Sequence, residues 1–443
     1  MGNTVEVLIV GGGLTGLSVA LHLPPSCSFR LFEKDDRLGG HARTEQRDGF
    51  FFDKTGHWLH LRDPSMRSLV SSLFSGEEAN RKLVSVARNA RIFSNGVLTR
   101  YPFQAHLFGL PPQIASECLL DFVRAKFAPL SSLPSQNFAD FCEKQFGKGI
   151  SRHFMLPYNR KLWGVDPAEI TAEWCSRFVP IPSLEDVIRG AVGDIPSELG
   201  YNAHFLYPQV GGIETLVQRM LDRLPTERIT CGAELTSICL ADKTAVVAGE
   251  KLSYASLVAT LPLPELCRRI VDLPPSLVQW ASKLRCTQVK YLNIGTRVPP
   301  KSDYHWLYVP EEKYPFYRVG VYSNAVPSMA PSGCGSLYVE LSERGNIDLA
   351  TLVPKVASAL CATGILAKQE DILFADLRTI DFAYVVFDEN YYPALAALVP
   401  FLEGHRIYPR GRYGSWTYNS MEDCMLLGKG IAAQLSKQTS KGN

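Results

Sequence analysis

The 443-residue sequence carries no surplus of either charge: 46 Lys and Arg stand against 44 Asp and Glu, for a net +2. That balance gives no basis for binding nucleic acid or an anionic membrane surface by bulk electrostatics. No uninterrupted apolar run reaches membrane-spanning length. The N-terminal apolar stretch has no basic leader and is broken by glycines, so it reads as a buried strand and not as a signal peptide. The 11 cysteines contain no C-x-x-C pair, and the nine histidines form no ligand-spaced cluster. These absences argue against a disulfide framework and against a metal site. The cysteines read as reduced and the protein as cytoplasmic. Repeats and low-complexity segments are missing too, and a chain of this length holds one to three domains.

What is present is concentrated at the start. Val5 to Val10 is a short apolar run suited to a buried parallel strand. Gly11, Gly13 and Gly16 follow at the G-x-G-x-x-G spacing, and Leu17 to Leu23 suits a helix. Gly11 permits a tight turn, Gly13 lets backbone approach a pyrophosphate, and Gly16 allows close packing of helix on strand. A second strand, Phe29 to Phe32, ends in Glu33, which is placed to accept hydrogen bonds from an adenosine ribose. The expectation is a dinucleotide site. The chain continues through Gly39-Gly40 to Arg43. An acid followed by a second glycine pair resembles FAD-binding flavoproteins of the amine-oxidase and glutathione-reductase type. FAD is therefore preferred to a nicotinamide as the resident cofactor.

Further along, 86–103 alternates like a hairpin about Asn95-Gly96. Residues 104–200 are helical in pattern. A loop at 207–212 leads into a helix from 213 to 224, and 227–260 reads as short strands ending at Thr260. From 284 to 395 the pattern is strand-rich. The fold expected is α/β: a FAD-binding Rossmann-like domain of glutathione-reductase type, with a helical insertion and an antiparallel β-sheet substrate domain. The FAD domain is read as discontinuous, over 1–85, 205–265 and 405–436. The helical domain is 104–200, the sheet domain 86–103 with 266–404, and 437–443 a disordered tail.

Several local strings then line up: Gly56-His57, Tyr101-Pro102-Phe103-Gln104, Pro157 to Trp163, Arg177, Pro315 to Arg318, and Gly411 to Tyr418. Piecewise but nearly end to end, they resemble the UDP-galactopyranose mutase family, a branch of the amine-oxidase and protoporphyrinogen-oxidase-like flavoproteins. The resemblance implies a catalytic set of His57, Arg177 and Arg318, the two arginines clamping a diphosphate through charge-assisted bonds. It places Tyr101, Phe103, Gln104, Asn159, Trp163, Asn202, Tyr308, Tyr392 and Tyr418 around the substrate. Around the cofactor it places Gly11, Gly13, Gly16, Glu33, Gly39, Gly40, Arg43, Gly56, His57, Thr260, Arg412 and Met421.

The implied reaction is interconversion of the pyranose and furanose forms of a UDP-hexose, a step of polysaccharide biosynthesis, with N5 of reduced FAD attacking the anomeric carbon. NADPH is a candidate external reductant, and a homo-oligomer is left open. The alternative is a true oxidoreductase of the amine-oxidase or protoporphyrinogen-oxidase type; a flavin-bound regulatory protein without turnover is a third class. Three departures bear on the choice. Thr55 stands where the family has a glycine, Ala325 where it has a tyrosine, and His60 where an apolar aromatic is expected.

Overall fold

The structure, a computed structural model, describes residues 4–76, 78, 82–128, 134–175, 179–194 and 204–439. Its first strand, Thr4–Val10, is covered on both faces. It lies between Phe29–Phe32 and Glu250–Ala259, parallel to both. A strand buried on both sides has no polar face to alternate with, which is why this one reads as an unbroken apolar run. Ile229–Thr230 and Ile407–Pro409 add further parallel pairs, and Leu235–Cys239 with Thr244–Val247 extends the sheet as an antiparallel meander.

The first helix, Leu14–His22, begins immediately after Gly13, three residues before the apolar pattern suggests. The carbonyl of Gly13 accepts from Leu17 N at 3.0 Å, which starts the helical ladder at the loop itself. The C-terminal helix, Met421–Thr439, lies against it. The Ser18 hydroxyl donates to the Met425 carbonyl at 2.6 Å, and a Cβ at Gly428 would meet Ser18 Cβ at 2.6 Å. Residues 437–439, expected in a disordered tail, are helical, because Leu435 is buried and Gln438 accepts from Arg406. Residues 440–443 lie outside the described residues.

A second seven-stranded sheet runs in the order Ile372–Val385, Cys286–Thr296, Gly335–Leu341, Phe316–Val321, Trp306–Tyr308, Ala90–Ser94, Val97–Arg100. All its pairs are antiparallel except Ala90–Ser94 with Trp306–Tyr308. The hairpin turns at Asn95-Gly96 with φ of 54° and 79°, the left-handed geometry that favours this dipeptide. The 14-residue strand Ile372–Val385 falls in the stretch expected to be strand-rich and forms one edge of the sheet. Asp376, Arg378 and Asp381 interrupt its apolar alternation, as an edge strand tolerates.

Helices Pro112–Phe127, Phe138–Ile150, Leu156–Trp163 and Leu184–Val192 lie within 104–200. The helix expected over 213–224 spans Glu214–Leu221. The break drawn at 85/86 falls inside the strand Leu83–Ala87, which pairs with His204–Pro208, and that at 265/266 inside the helix Leu263–Arg269.

Candidate functional site

The carboxyl ends of the parallel strands open into a cavity of about 1200 Å³. It extends between the two sheets to the helix Leu156–Trp163. Its volume exceeds the ~300–1,000 Å³ of an ordinary single-ligand pocket, so it has room for two ligands at once.

The first end is built by glycine-rich backbone. Gly11, at φ 104°, makes the turn out of the strand. Gly39 pairs with Gly13, and a Cβ on Gly40 would sit 3.2 Å from Gly13 Cα, so two chain segments meet here with no side chains between them. Glu33 is buried and accepts from Gly12 N at 2.7 Å and Asp35 N at 3.0 Å. Thr260 Oγ1 donates to the carbonyls of Val10 and Gly11 at 3.2 Å each. Gly11, Gly13, Glu33, Gly39, Gly40, Gly56, His57, Thr260, Arg412 and Met421 all line the cavity. Gly16 does not. An added Cβ there would meet the Gly11 carbonyl at 2.0 Å, so its role is helix-on-strand packing. Arg43 is also off the wall. It donates to Leu38 O at 2.9 Å and Asp35 at 2.7 Å and braces the loop that carries Glu33's neighbours.

The middle of the cavity holds His41, His57 and Arg412. The two imidazoles stack with centroids 6.4 Å apart, and Tyr413 meets His41 edge-on at 5.3 Å. Burial and the Arg412 cation lower the pKa of His57 to about 4, and burial and His57 lower that of His41, so both rings are neutral at pH 7. Nδ1 of each is buried without a hydrogen-bond partner. Arg412 donates to Asn419 O at 2.9 Å and Ala383 O at 3.0 Å and lies 4.4 Å over the Tyr418 ring. The glycine-walled groove, the ribose-side carboxylate and two orphaned imidazole nitrogens at mid-cavity fit an extended FAD.

The backbone carrying His57 is held tightly. Thr55 adopts φ 63°, a conformation rare for a β-branched residue. The Tyr322 hydroxyl reaches the carbonyls of both Asp53 (3.0 Å) and Thr55 (2.9 Å), fixing the loop. Below it the Asp53 carboxylate accepts from Thr44 Oγ1 at 2.7 Å, Ile213 N at 3.2 Å and the Tyr207 hydroxyl; burial raises its pKa to about 7.

The far end is aromatic and cationic. Arg318 donates to Glu340 at 2.6 Å and to the Tyr384 hydroxyl at 3.0 Å. Burial opposes the charge on Arg318, and Glu340 and the surrounding phenols more than restore it. Tyr101 stacks on Tyr308 at 5.1 Å, with Arg88 4.6 Å over the Tyr101 ring and donating to the Tyr308 hydroxyl at 3.2 Å. Gln104 donates to Pro180 O at 2.8 Å, and Trp163 Nε1 to Asn159 at 3.3 Å. Burial raises the pKa of Tyr158 and Tyr384, so these phenols remain hydrogen-bond donors at neutral pH.

Of the substrate-side residues expected, Tyr101, Gln104, Asn159, Trp163, Tyr308, Arg318 and Tyr418 line the cavity. Phe103 does not. It is fully buried and stacked on Phe154 at 5.1 Å, as a core residue. Tyr392 is 43% exposed on the outside of the helix Tyr391–Gly404 and does not line the cavity, whereas Tyr384 does. Ala325 does not reach the cavity; His60 does, with a pKa lowered to about 4 by burial and Arg88. Arg177 and Asn202 lie outside the described residues. Tyr384, Glu340, Arg88, Tyr158 and His41 were missed. A lone acid inside the apolar string Leu337 to Leu341 was the signal for Glu340.

The profile of the flavin containing amine oxidoreductase family matches residues 14–355. A crystal structure of reduced UDP-galactopyranose mutase superposes with a TM-score of 0.90 at 28% identity, covering 98% of this chain and 96% of that one. Among curated relatives, the coproporphyrinogen III oxidase of Mycobacterium bovis is 35% identical over 109 residues, 24% of this chain. A "Probable UDP-galactopyranose mutase" of Klebsiella pneumoniae is 22% identical over 183 residues, 40% of this chain and 45% of its own. The match to the coproporphyrinogen III oxidase spans 22% of that protein's length.

Proposed function

The chain belongs to the flavin containing amine oxidoreductase family, and on that premise we propose that it is a FAD-dependent mutase acting on a UDP-hexose. The product is the furanose form of a pyranose substrate, or the reverse. The observation that carries this reading is the far wall of the cavity. Arg318, Tyr384, Tyr158 and Tyr308 present a buried cation and neutral phenols to one space, across from His57. Such a wall suits a diphosphate, whose oxygens accept charge-assisted and phenolic hydrogen bonds. A cationic amine gives no use for a buried cation there.

Gly11, Gly13, Gly40, Glu33 and Thr260 would hold the adenosine diphosphate half of FAD, with His41, His57, Gly56 and Arg412 beside its ring. When bound and reduced, FAD supplies a nucleophilic ring nitrogen for an anomeric carbon. The chain's own share is binding and charge. Arg318, joined in our reading by Arg177, neutralises the diphosphate as it departs and returns. Tyr384, Tyr308, Tyr158 and Tyr418 donate hydrogen bonds to its oxygens. Tyr101, Gln104, Asn159 and Trp163 orient the nucleoside, and Asn202 is assigned to the sugar. The neutral His57 offers a hydrogen-bonding nitrogen without adding a second cation. Division of labour follows the sheets: a discontinuous cofactor unit around the parallel sheet, and a substrate unit on the antiparallel one. NADPH as reductant belongs to the same reading.

The deciding experiment compares redox states. Dithionite-reduced protein, incubated anaerobically with UDP-sugars, is expected to isomerise many equivalents, while the oxidised protein stays inert. Bleaching of the oxidised flavin by substrate, with peroxide formed and no ring isomer, would move the assignment to the oxidoreductase alternative.

A further inference from the structure

Lys161 sits in the last turn of the helix Leu156–Trp163 with only 7% of its surface exposed. An ammonium buried without compensation costs several kcal/mol, so its surroundings need an explanation. Nζ donates to the carbonyls of Phe316 at 2.6 Å, Glu311 at 2.8 Å, Val309 at 3.1 Å and Tyr314 at 3.2 Å. An ammonium has three protons, so four carbonyls crowd a group that can saturate three. No carboxylate among the described residues lies within ion-pair distance of it; burial lowers its pKa to about 7, and Glu311 and Glu312, further off, offset only part of that.

The four carbonyls come from one turn, 309–316, which joins the strands Trp306–Tyr308 and Phe316–Val321. Tyr308 stands just before that turn and Arg318 just after it, and both line the cavity. A second cation grips the same helix from the next strand. Arg344, just past Gly335–Leu341, donates to Lys161 O at 2.9 Å and Leu162 O at 2.7 Å. It occupies the space that a side chain on Gly164 would need, since a Cβ there would lie 2.3 Å from Arg344 Nε. The helix thus carries Tyr158, Asn159, Leu162 and Trp163 on the cavity, while Lys161 is tied to the turn behind the opposite wall.

We propose that Lys161 is a positioning residue that sets the separation of the two walls of the nucleotide cleft, by holding the 309–316 turn in a carbonyl cage. It touches no substrate in this role. The proposal rests on the nucleotide-sugar reading for its ligand, but the cage is testable without it.

The test uses FAD-loaded full-length Lys161→Ala, which leaves a vacant channel ending at four carbonyls. Two quantities are measured: UDP affinity by calorimetry, and hydrogen exchange at amides 309–318. Loss of at least tenfold in UDP affinity is expected, with faster exchange at 309–318 and an unchanged flavin spectrum. Millimolar n-propylammonium, which supplies both stem and cation, is expected to reverse both effects; n-butanol is not. UDP binding within twofold of wild type, or lost affinity with unchanged exchange at 309–318, overturns the proposal. If the wild type itself does not bind UDP, the nucleotide reading fails, and exchange with its rescue by n-propylammonium alone decides the cage. If Lys161→Ala does not fold, Lys161→Arg carries the test. Its planar fork cannot serve the same four carbonyls, and wild-type UDP affinity and exchange in that variant overturn the proposal.

Discussion

Arg318 and Glu340 face each other directly across neighbouring antiparallel strands, with Nη2 2.6 Å from Oε1 and the Glu340 side chain only 1% exposed. The pair is half satisfied. Glu340 Oε2 and Arg318 Nε are both buried without a partner, and an unpaired buried polar atom is costly in a low dielectric, so the Nε–H in particular gains from an anionic acceptor. The same geometry complicates mutagenesis, because removing the arginine strands the acid.

Arg318→Met is accordingly expected to lower unfolding free energy by about 3–5 kcal/mol, the scale for leaving a buried charge uncompensated. Adding Glu340→Gln should recover most of that loss. Both variants should bind UDP more weakly, by roughly 1.5–3 kcal/mol for a lost charged hydrogen bond. Denaturant titration and calorimetry on the two proteins separate the effects. Equal stability of the single and double variants would contradict the pairing.

The two tyrosines near the end of the sheet domain should differ sharply. Tyr384→Phe removes the hydroxyl bonded to Arg318 and should weaken UDP binding by about 1 kcal/mol, the net worth of a hydrogen bond. Tyr392→Phe, on the exposed face of its helix, should leave binding unchanged. Calorimetry on both variants checks this.

Adjacent positions in the His57 loop should also respond unequally. Thr55→Gly relieves left-handed strain of about 1–3 kcal/mol while losing buried side chain and gaining unfolded-state freedom. Stability should change by less than about 1 kcal/mol. In Gly56→Ala the new methyl would meet the Tyr338 hydroxyl at 2.3 Å. Overpacking of that kind costs typically ~1–3 kcal/mol, and flavin content should fall with it. Thermal melts and the flavin absorbance of both variants provide the measurement.

Acid should destabilise the fold through histidines held neutral. Burial lowers the pKa of His305 to about 4, and Asn89 N donates to its Nδ1 at 3.3 Å, a bond that protonation of that nitrogen abolishes. His57 and His60 are lowered to about 4 as well. Unfolded histidine titrates near ~6.5. The unfolded chain therefore binds more protons between those values, and stability falls as pH drops from about 6.5 toward 4. Asp53, raised to about 7 by burial, acts in the opposite sense over an overlapping range. Melting temperature should fall across this window, and His305→Asn, away from the cavity, should flatten the slope.

Local chemistry made much of the site legible. The glycines after the first strand, Glu33 at the end of the second, and the Asn95-Gly96 hairpin each depend on neighbours a few residues away, so they can be read from the chain locally. The family-like strings placed Tyr101, Gln104, Asn159, Trp163, Tyr308, Arg318 and Tyr418 on one cavity for the same reason: each lies within a short, distinctive segment. The rest of the site depends on register and on packing between distant segments. Tyr384 and Tyr392 lie eight positions apart in an aromatic-rich stretch. Pairing of Tyr384 with Thr287 turns the first toward Arg318, while a helix turns the second to solvent. Glu340 meets Arg318 because two strands align at that register, and a slip of one residue would put the acid on the other face of the sheet. Lys161 is soluble-looking in sequence and buried in the fold, because four carbonyls from a turn about 150 residues away replace the water it gives up.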